Sequence, residues 1–255
     1  MIMEFNRFSD IKRLNFITET LQQNLPAGSV VLDVGCGNGV ISRSLGELGY
    51  NVLGIDVSDK AIEKANMLNK FPNVSFKVMS AEQLVAEGTK YNAVICSEVL
   101  EHLNKPELLL KTLYESMSDN GFLIVTVPNG NGPRESFVTK PVIALQKKNN
   151  LSWKIIQRTK SMLGYKGTTV QSDASDLTHI QFFTKDSLHQ LAEKNDFSIV
   201  KFGKTNFIED VFPFSLLTKR IYALQKLDCK VAEWLPYGCT GGFVTVWQKK
   251  NQPWK

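Results

Sequence analysis

Short apolar runs and helix-periodic segments alternate through the first half of the chain, and this pattern restricts the possible folds more than any other feature. The apolar runs are SVVLDV, NVLGIDV, VSFKVM, YNAVICS and GFLIVTV, and the segments between them are VISRSLGEL, KAIEKANML, AEQLVAE and PELLLKTLYESM. Strands that alternate with helices form a parallel sheet with right-handed crossovers, covered on both faces. The pattern predicts a doubly wound α/β fold, in which ligands bind beyond the carboxyl ends of the strands.

The alternation stops after Pro128. Residues 130–178 predict a helical lid inserted behind the fifth strand, and a terminal unit follows with a helix entered from Thr184 and two strand-like runs, FSIVKFG and GGFVTVWQK. We therefore predict a single domain over residues 1–255, with a seven-stranded, mostly parallel sheet and the inserted lid. The apolar content of 43% is ample for its core.

The composition carries no signature of secretion or of a membrane span. The four cysteines form no CxxC pair and lie far apart: Cys36, Cys96, Cys229 and Cys239. The amino-terminal stretch MIMEFNRFSDIK has no apolar signal core, and no apolar run approaches the roughly 18 residues of a membrane span. We expect a cytoplasmic protein, and the basic lid leaves peripheral contact with a membrane open.

The turn after the first strand, VVLDVGCGNGV, carries glycine at every second position: Gly35, Gly37 and Gly39. Val40 stands where GxGxxG requires its third glycine, so the turn departs from the dinucleotide fingerprint. Asp33 would repel a pyrophosphate and suits a cationic ligand. Asp56 ends the next strand, where nucleotide sites of this fold place a carboxylate for the ribose hydroxyls. The two acids and the glycines indicate a nucleoside with a positive charge, as in S-adenosylmethionine.

With these residues in register, the chain resembles the class I S-adenosylmethionine-dependent methyltransferases, closely over residues 28–128 and loosely at both ends. It is most similar to the O-methyltransferases of ubiquinone biosynthesis, through RLNFI, LDVGCG, a Cys-x-Glu-x-x-Glu-His stretch and a polar turn after the fifth strand. The resemblance implies that the protein transfers a methyl group from S-adenosylmethionine to an oxygen of a small or lipid-like acceptor.

The same resemblance implies a set of cofactor contacts. By it Arg13, Gly35, Asp56 and Ser97 contact the cofactor, and Ser80 and Ala81 lie near the adenine. The loop residues Asp33, Cys36 and Gly37, together with Val57, complete the predicted cofactor site. Many relatives carry Asp where this chain has Ser80, so the resemblance does not extend to a carboxylate bond with the adenine amine.

Methyl transfer to a hydroxyl requires a group that removes or offsets a proton, and candidates stand in SEVLEHL. Glu98, Glu101 and His102 are spaced i, i+3, i+4 and would share one face of a helix. With His179 they predict a site for a divalent cation, which would act as a Lewis acid. Carboxylates suit Mg²⁺, and imidazole shifts the preference toward Mn²⁺, Fe²⁺ or Zn²⁺.

This ExxEH motif with a later histidine is similar to the metal site of small-RNA 3′-end 2′-O-methyltransferases. The alternative is a helix whose acids are solvated, in which case His102 and His179 are candidates for the general base. His189, in SLHQLAEKN, is predicted to be a surface or packing residue.

The lid segment is strongly basic. Between Gly130 and Ser172 stand eight basic residues and one acid, Glu135, whereas the whole chain has 30 Lys and Arg against 25 Asp and Glu. The basic residues are Arg134, Lys140, Lys147, Lys148, Lys154, Arg158, Lys160 and Lys166. Such a basic amphipathic segment fits contact with an anionic membrane, cover for a lipid-like or phosphorylated acceptor, pairing with nucleic acid, or an ordinary lid with solvated lysines.

The acceptor is open between quinone, polyketide, sugar and lipid chemistry. Four aromatic residues are candidates for an apolar acceptor pocket or for core packing: Phe207, Phe212, Phe214 and Trp234. A metal-dependent RNA 2′-O-methyltransferase is the weaker enzymatic alternative, because the chain has no recognised nucleic-acid-binding module. The alternative from another class is a catalytically silent cofactor-binding subunit.

Overall fold

The computed structural model describes residues 7–84, 88–141, 179–209, 211, 214–218 and 221–250. Its helices and strands are, in chain order, α1 (Phe8–Asn24), β1 (Val30–Val34), α2 (Val40–Glu47), β2 (Asn51–Asp56), α3 (Asp59–Leu68), β3 (Val74–Val78), β4 (Tyr91–Ser97), α4 (Pro106–Ser116), β5 (Met117–Pro128), α5 (Lys185–Lys194), β6 (Phe197–Lys204), α6 (Phe214–Thr218), α7 (Tyr222–Trp234) and β7 (Gly242–Lys249). Short 3₁₀ turns lie at Ala81–Gln83, Leu100–His102 and Tyr237–Cys239, and a π-helical turn at Glu135–Thr139.

The strands form one seven-stranded sheet in the order β3-β2-β1-β4-β5-β7-β6. Strands β1 to β5 pair in parallel, and β7 pairs antiparallel with both β5 and β6. The predicted mostly parallel sheet is therefore confirmed. From β1 the chain moves outward to β3 and then returns to the other side of β1 for β4. A doubly wound sheet opens a crevice at such a switch point, beyond the carboxyl ends of its strands.

Helices cover both faces of this sheet. In β1, Leu32 and Val34 belong to the apolar cluster that includes α4 and α5, whereas Val31 belongs to the cluster of α1, α2 and α3. Strands buried on both faces have nearly continuous apolar sequences, as the five predicted strands do. The one acid inside β1, Asp33, interrupts this pattern.

The local signal at the start of α5 is confirmed. Helix α5 begins after Thr184, whose hydroxyl accepts from the Ser187 amide at 3.2 Å while the Ser187 hydroxyl accepts from the Thr184 amide at 2.8 Å. In the segment AEQLVAE, predicted as a helix, the structure describes the 3₁₀ turn Ala81–Gln83 followed by one helical residue, Leu84, and residues 85–87 lie outside the described residues. A reciprocal cap between Ser80 and Gln83 closes that turn locally.

The predicted lid falls mostly outside the described residues, which include only 130–141 of it, so the lid and its boundaries remain predictions. Within the described part of the chain, no helix is both long enough and apolar enough to cross a bilayer. All four cysteines are free thiols, and Cys239 alone among them is exposed.

Candidate cofactor and catalytic site

The loop between β1 and α2 has left-handed backbone at each of its glycines, with φ of +68° at Gly35, +54° at Gly37 and +75° at Gly39. A Cβ on Gly35 would lie 2.6 Å from Cγ2 of Val99, and a Cβ on Gly39 would overlap the Phe76 ring. Glycine alone meets both requirements without strain. The loop therefore brings bare backbone to the switch point, where a ligand can approach closely.

Asp56, at the end of β2, faces this loop. Its Oδ2 accepts from the Gly37 amide at 2.9 Å, and its Oδ1 accepts from the Ser58 amide at 2.9 Å. Each carboxylate oxygen has a second lone pair, which is available to a ribose hydroxyl. The adjacent Val57 is 75% exposed, so apolar surface lies directly beside the carboxylate.

Asp33 and Cys36 lie beneath the loop. The Asp33 side chain is buried and accepts from the Ser42 hydroxyl at 2.6 Å, which anchors α2 against β1. Burial, reinforced by repulsion from Asp56 and opposed by the Ser42 bond, raises the pKa of Asp33 to about 7. Burial and these two carboxylates also raise the pKa of the Cys36 thiol above its usual range. A direct contact of either side chain with a nucleoside remains a prediction.

The ends of β3 and β4 bring the remaining predicted contacts to the same edge, because these strands are parallel to β1 and β2. The Ser80 amide donates to Oε1 of Gln83 at 2.9 Å, and Ala81 is buried. The Ser97 hydroxyl lies 2.9 Å from Oγ1 of Thr126 on β5. Four adjacent strands thus contribute to one continuous edge.

Arg13, on α1, reaches this edge from outside the sheet. It is 8% exposed, with Nη2 3.4 Å from Oε2 of Glu98 and Nη1 3.7 Å from Oδ1 of Asp10. Its Nε is buried and has no hydrogen-bond partner among the residues described. A buried guanidinium donor without a partner suits an anionic ligand group such as a carboxylate.

Three of the four predicted metal ligands, Glu101, His102 and His179, lie close together. Their potential ligand atoms all lie within 4.8 Å of one another, and the two imidazole centroids are 5.2 Å apart. Oε2 of Glu101 is buried and has no hydrogen-bond partner in the described part of the chain. Burial, and after it repulsion from Glu98, raises the pKa of Glu101 well above its ordinary value. The cluster resembles a cation site in its donor types and spacing.

Glu98 lies outside this cluster, and the shared helical face predicted for it does not form. Its φ is +58°, and only Leu100–His102 make a 3₁₀ turn. Oε2 of Glu98 faces Arg13, and Oε1 accepts from the Thr126 hydroxyl at 3.0 Å. The convergence depends instead on the backbone amides of residues 180 and 181, which donate to the Glu101 carbonyl at 2.8 and 2.9 Å and thereby place His179.

Glu135 was not identified from the sequence as a site residue, although it is the single acid in a basic segment. It lies on the π-helical turn after β5, is 1% exposed, and has Oε1 3.3 Å from Nδ1 of His179. Burial raises the pKa of this carboxyl, but the hydrogen bond and charge of His179 outweigh burial, and the pKa is lowered. With Nδ1 directed at Glu135, Nε2 is the His179 nitrogen available to a proton or a metal.

A cleft opens beside Arg13 and Glu98, between the start of α1, the end of β5 and the start of β7. Three arginines line it: Arg7, Arg13 and Arg134. None of the candidate aromatic residues is among the described residues that line this cleft. Phe214 and Trp234 are 50% and 90% exposed, and Phe212 lies outside the described residues.

His189 lies away from the cluster and stacks on Phe202, with ring centroids 5.4 Å apart and planes 12° from parallel. Its prediction as a packing residue is confirmed.

Comparison with known proteins decides the family. The family model described as "Methyltransferase domain" matches residues 6–201, most of the chain. The chain belongs to the methyltransferase domain family. Relatives of this methyltransferase chain include the ubiquinone biosynthesis O-methyltransferase of Nitrosospira multiformis, 38% identical over 108 residues, and that of Xanthomonas axonopodis pv. citri, 34% identical over 120 residues. The predicted resemblance is confirmed.

The matches to these two relatives cover 41% and 46% of this chain and 45% and 49% of theirs, so the likeness spans about half the length of the curated proteins. Solved structures extend the fold over nearly the whole chain. The magnesium protoporphyrin IX methyltransferase from Synechocystis, solved with bound SAH, has a TM-score of 0.57 at 17% identity, covering 95% of this chain and 84% of its own. A SAM-dependent methyltransferase from Archaeoglobus fulgidus has a TM-score of 0.56 at 17% identity, and the match covers 92% of this chain and 94% of that protein. The predicted class I methyltransferase fold is confirmed.

Proposed function

We propose that this chain binds S-adenosylmethionine at the carboxyl edge of β1 to β4 and transfers its methyl group to a hydroxyl oxygen of a small or lipid-like acceptor. The observation that carries the proposal is the left-handed glycine loop facing Asp56 at the switch point. The names of the curated relatives support oxygen as the methylated atom and a lipid-like acceptor.

The residues present fit the cofactor. The partnerless Nε of Arg13 suits its amino-acid carboxylate, the open lone pairs of Asp56 suit its ribose, and Val57 with Ala81 offers apolar surface to its adenine. When bound, the cofactor supplies an electrophilic methyl group on a sulfonium that is already a good leaving group. The protein therefore mainly holds the acceptor oxygen in line and excludes water.

The remaining requirement is removal of the acceptor's hydroxyl proton. We assign this to the cluster of His102 and His179, with Nε2 of His179 as the accepting atom because Glu135 faces Nδ1. Glu135 acts as a positioning residue: it fixes the ring orientation and the tautomer of His179. The cleft beside Arg13 and Glu98 is the candidate binding place for the acceptor.

The same cluster suits a divalent cation held by Glu101, His102 and His179. A cation there would satisfy the partnerless Oε2 of buried Glu101 and lower the pKa of an acceptor hydroxyl.

Calorimetric titration with Mn²⁺ or Mg²⁺ tests this cation site. We expect a binding heat that Glu101→Gln abolishes and that the exposed Glu107→Gln on α4 leaves intact. We expect Glu135→Gln to weaken metal binding by about 10–100-fold, since a carboxylate behind a ligating histidine typically contributes that much. Equal heats in all variants, or none in the wild type, would refute the metal site and leave the histidines as bases.

An assay of S-adenosylhomocysteine release tests the reaction itself. Three acceptors are compared: a water-soluble catechol, a catechol with an alkyl tail, and a short RNA with a free 3′ end. We expect turnover with the catechols, faster with the alkyl tail. Turnover with RNA alone would favour the RNA 2′-O-methyltransferase alternative. Binding of S-adenosylhomocysteine without turnover on any acceptor would favour the silent-subunit alternative.

The predicted contact between the basic lid and an anionic membrane remains a proposal, because the lid falls mostly outside the described residues.

A further inference from the structure

Helices α6 and α7 bury several polar side chains and expose most of their large apolar ones. Gln225 and Asp228 of α7 are 3% and 8% exposed, and Ser215 and Thr218 of α6 are buried. The outward residues are Phe214, Leu216, Leu217, Ile221, Tyr222, Leu224, Leu227 and Trp234. We call these eight residues the α6–α7 face. Patches of this kind on soluble domains commonly mark interaction surfaces.

Hydrogen bonds fix this orientation. The Asp228 carboxylate accepts from the amides of Phe207 and Ile208 at 2.8 and 2.9 Å. Gln225 accepts from the Phe8 amide at 2.8 Å and donates to the Thr218 carbonyl at 2.8 Å. Rotating α7 to bury its leucines would break these hydrogen bonds and leave the backbone groups that pair with Gln225 and Asp228 without partners. Leaving buried backbone groups unpaired costs free energy. The apolar face is thus a consequence of how the helices are docked.

The exposed charge around the α6–α7 face is positive. Lys226 and Lys230 are exposed on α7, while Asp228 is turned inward and Glu233 forms an ion pair with Lys12. The sequence adds Lys219 and Arg220 between the two helices. The basic segment between Gly130 and Ser172 carries charge of the same sign, so electrostatics disfavours it as a cover for this face, and likewise a second copy of the chain. An anionic partner is complementary.

The composition of the face specifies that partner further. Leucines, a phenylalanine and a tryptophan on one side, with lysines beside them, are typical of a helix that lies in the plane of an anionic bilayer. Lysine stems can pack along the apolar surface while their ammonium groups reach lipid phosphates. Trp234, 90% exposed at the end of α7, has the amphipathic ring favoured at the membrane–water boundary.

The α6–α7 face adjoins the cleft. Helix α7 packs against α1, where the Phe8 and Tyr222 rings meet edge to face with centroids 5.5 Å apart. The neighbours of Phe8 in the chain, Arg7 and Ser9, line the cleft. This contact places the α6–α7 face next to residues that line the cleft.

We propose that the α6–α7 face docks the protein on an anionic membrane surface, so that a lipid-like acceptor passes from the bilayer into the cleft. The delivery of an acceptor rests on the proposed function, whereas the docking does not.

Sedimentation with vesicles tests the docking. Wild-type protein is mixed with vesicles of phosphatidylcholine and phosphatidylglycerol, or of phosphatidylcholine alone. We expect partition onto the anionic vesicles, weaker at high salt because the lysine contacts are screened. Leu227→Glu should weaken partition by about tenfold or more, since burial of one leucine side chain contributes that much to a partition equilibrium.

Leu108→Glu on α4 is the matched control, because Leu108 and Leu227 are 57% and 55% exposed and the substitution is identical. It should partition like the wild type. Circular dichroism verifies that both variants are folded. Failure of the wild type to sediment with anionic vesicles, or equal losses in the two variants, would overturn the proposal. Self-association of the wild type that Leu227→Glu abolishes, without vesicle binding, would also overturn it and make the face a protein interface.

A separate assay distinguishes failure of the docking from failure of the proposed function. Leu227→Glu should methylate a water-soluble catechol like the wild type and lose rate only on an alkyl-tailed catechol embedded in anionic vesicles. A wild type that partitions but methylates neither catechol would refute the proposed function and leave the docking intact. A vesicle-bound wild type whose rate on the embedded catechol is unaffected by Leu227→Glu would refute delivery through this face.

Discussion

At the level of single residues, Gly35 and Gly39 of the β1–α2 loop meet two separable requirements, a left-handed backbone and an absent Cβ. Gly39 has φ of +75° and contacts the Phe76 ring where a Cβ would stand. Gly28 has φ of +85° with nothing within 4 Å of a Cβ position. The two positions therefore separate backbone strain from steric overlap.

Gly28→Ala should lower the free energy of unfolding by about 1–2 kcal/mol, the cost of a left-handed non-glycine residue. Gly39→Ala should lower it by a further ~1–3 kcal/mol, because the new methyl group must displace Phe76 in a packed core. Urea unfolding of both variants measures the difference. Equal losses would show that the Gly39 site is not closely packed.

Asp33 predicts a pH-dependent stability. Its pKa is about 7 in the folded protein and near 3.8 in the unfolded chain, so the folded state binds the proton more tightly. The free energy of unfolding should therefore fall as the pH rises from about 4 to about 7, by at most about 4 kcal/mol from this group. Asp33→Asn, which still accepts from Ser42, removes this titration. Urea unfolding measures the free energy of unfolding of both proteins at pH 5 and pH 8. Relative to the wild type, the variant should be more stable at pH 8 than at pH 5. The same difference at both pH values would contradict a raised pKa of Asp33.

At the scale of elements, tertiary contacts decide what local patterns cannot. Thr184 predicts the start of α5 correctly because a cap depends on residues adjacent in the chain. SEVLEHL has the spacing of a helix, yet Glu98 takes a left-handed conformation while its amide donates to the Thr126 carbonyl of β5 at 2.9 Å and its carboxylate faces Arg13. Those two contacts join distant parts of the chain, and no local signal encodes them.

Asn129 connects two parts of the chain that are distant in sequence, the end of β5 and the turn before β7. Its buried Nδ2 donates to the carbonyls of Tyr237 and Thr240 at 2.9 and 2.7 Å. Asn129→Ala should lower the free energy of unfolding by about 2–4 kcal/mol, because both carbonyls lose a donor. Asn131→Ala, at an exposed position in the same turn, should change it by less than ~0.5 kcal/mol. Thermal and urea unfolding compare the pair; similar effects would show that Asn129 does not hold the edge together.

At the scale of the whole molecule, the sheet and its ligand edge are predictable because they depend on the order and periodicity of apolar runs. The positions of Asp33, Asp56 and Ser97 follow from the parallel strands alone. The pairing of Glu135 with His179 does not, since only the folded chain brings them together. The exposure of Trp234 was not predictable either. The sequence of α7 does not reveal that the helix packs through polar residues and leaves this ring exposed.

Binding of the cofactor at the β1–β4 edge depends on Asp56, which holds the nucleoside. Calorimetric titration of S-adenosylhomocysteine tests it most directly, with Asp56→Ala as the variant and Asp119→Ala, an exposed acid at the start of β5, as the control. We expect binding by the wild type and by Asp119→Ala, and an affinity about tenfold weaker or more in Asp56→Ala, because the substitution removes a charged hydrogen-bond acceptor. No binding heat in the wild type, or an unchanged affinity in Asp56→Ala, would contradict it.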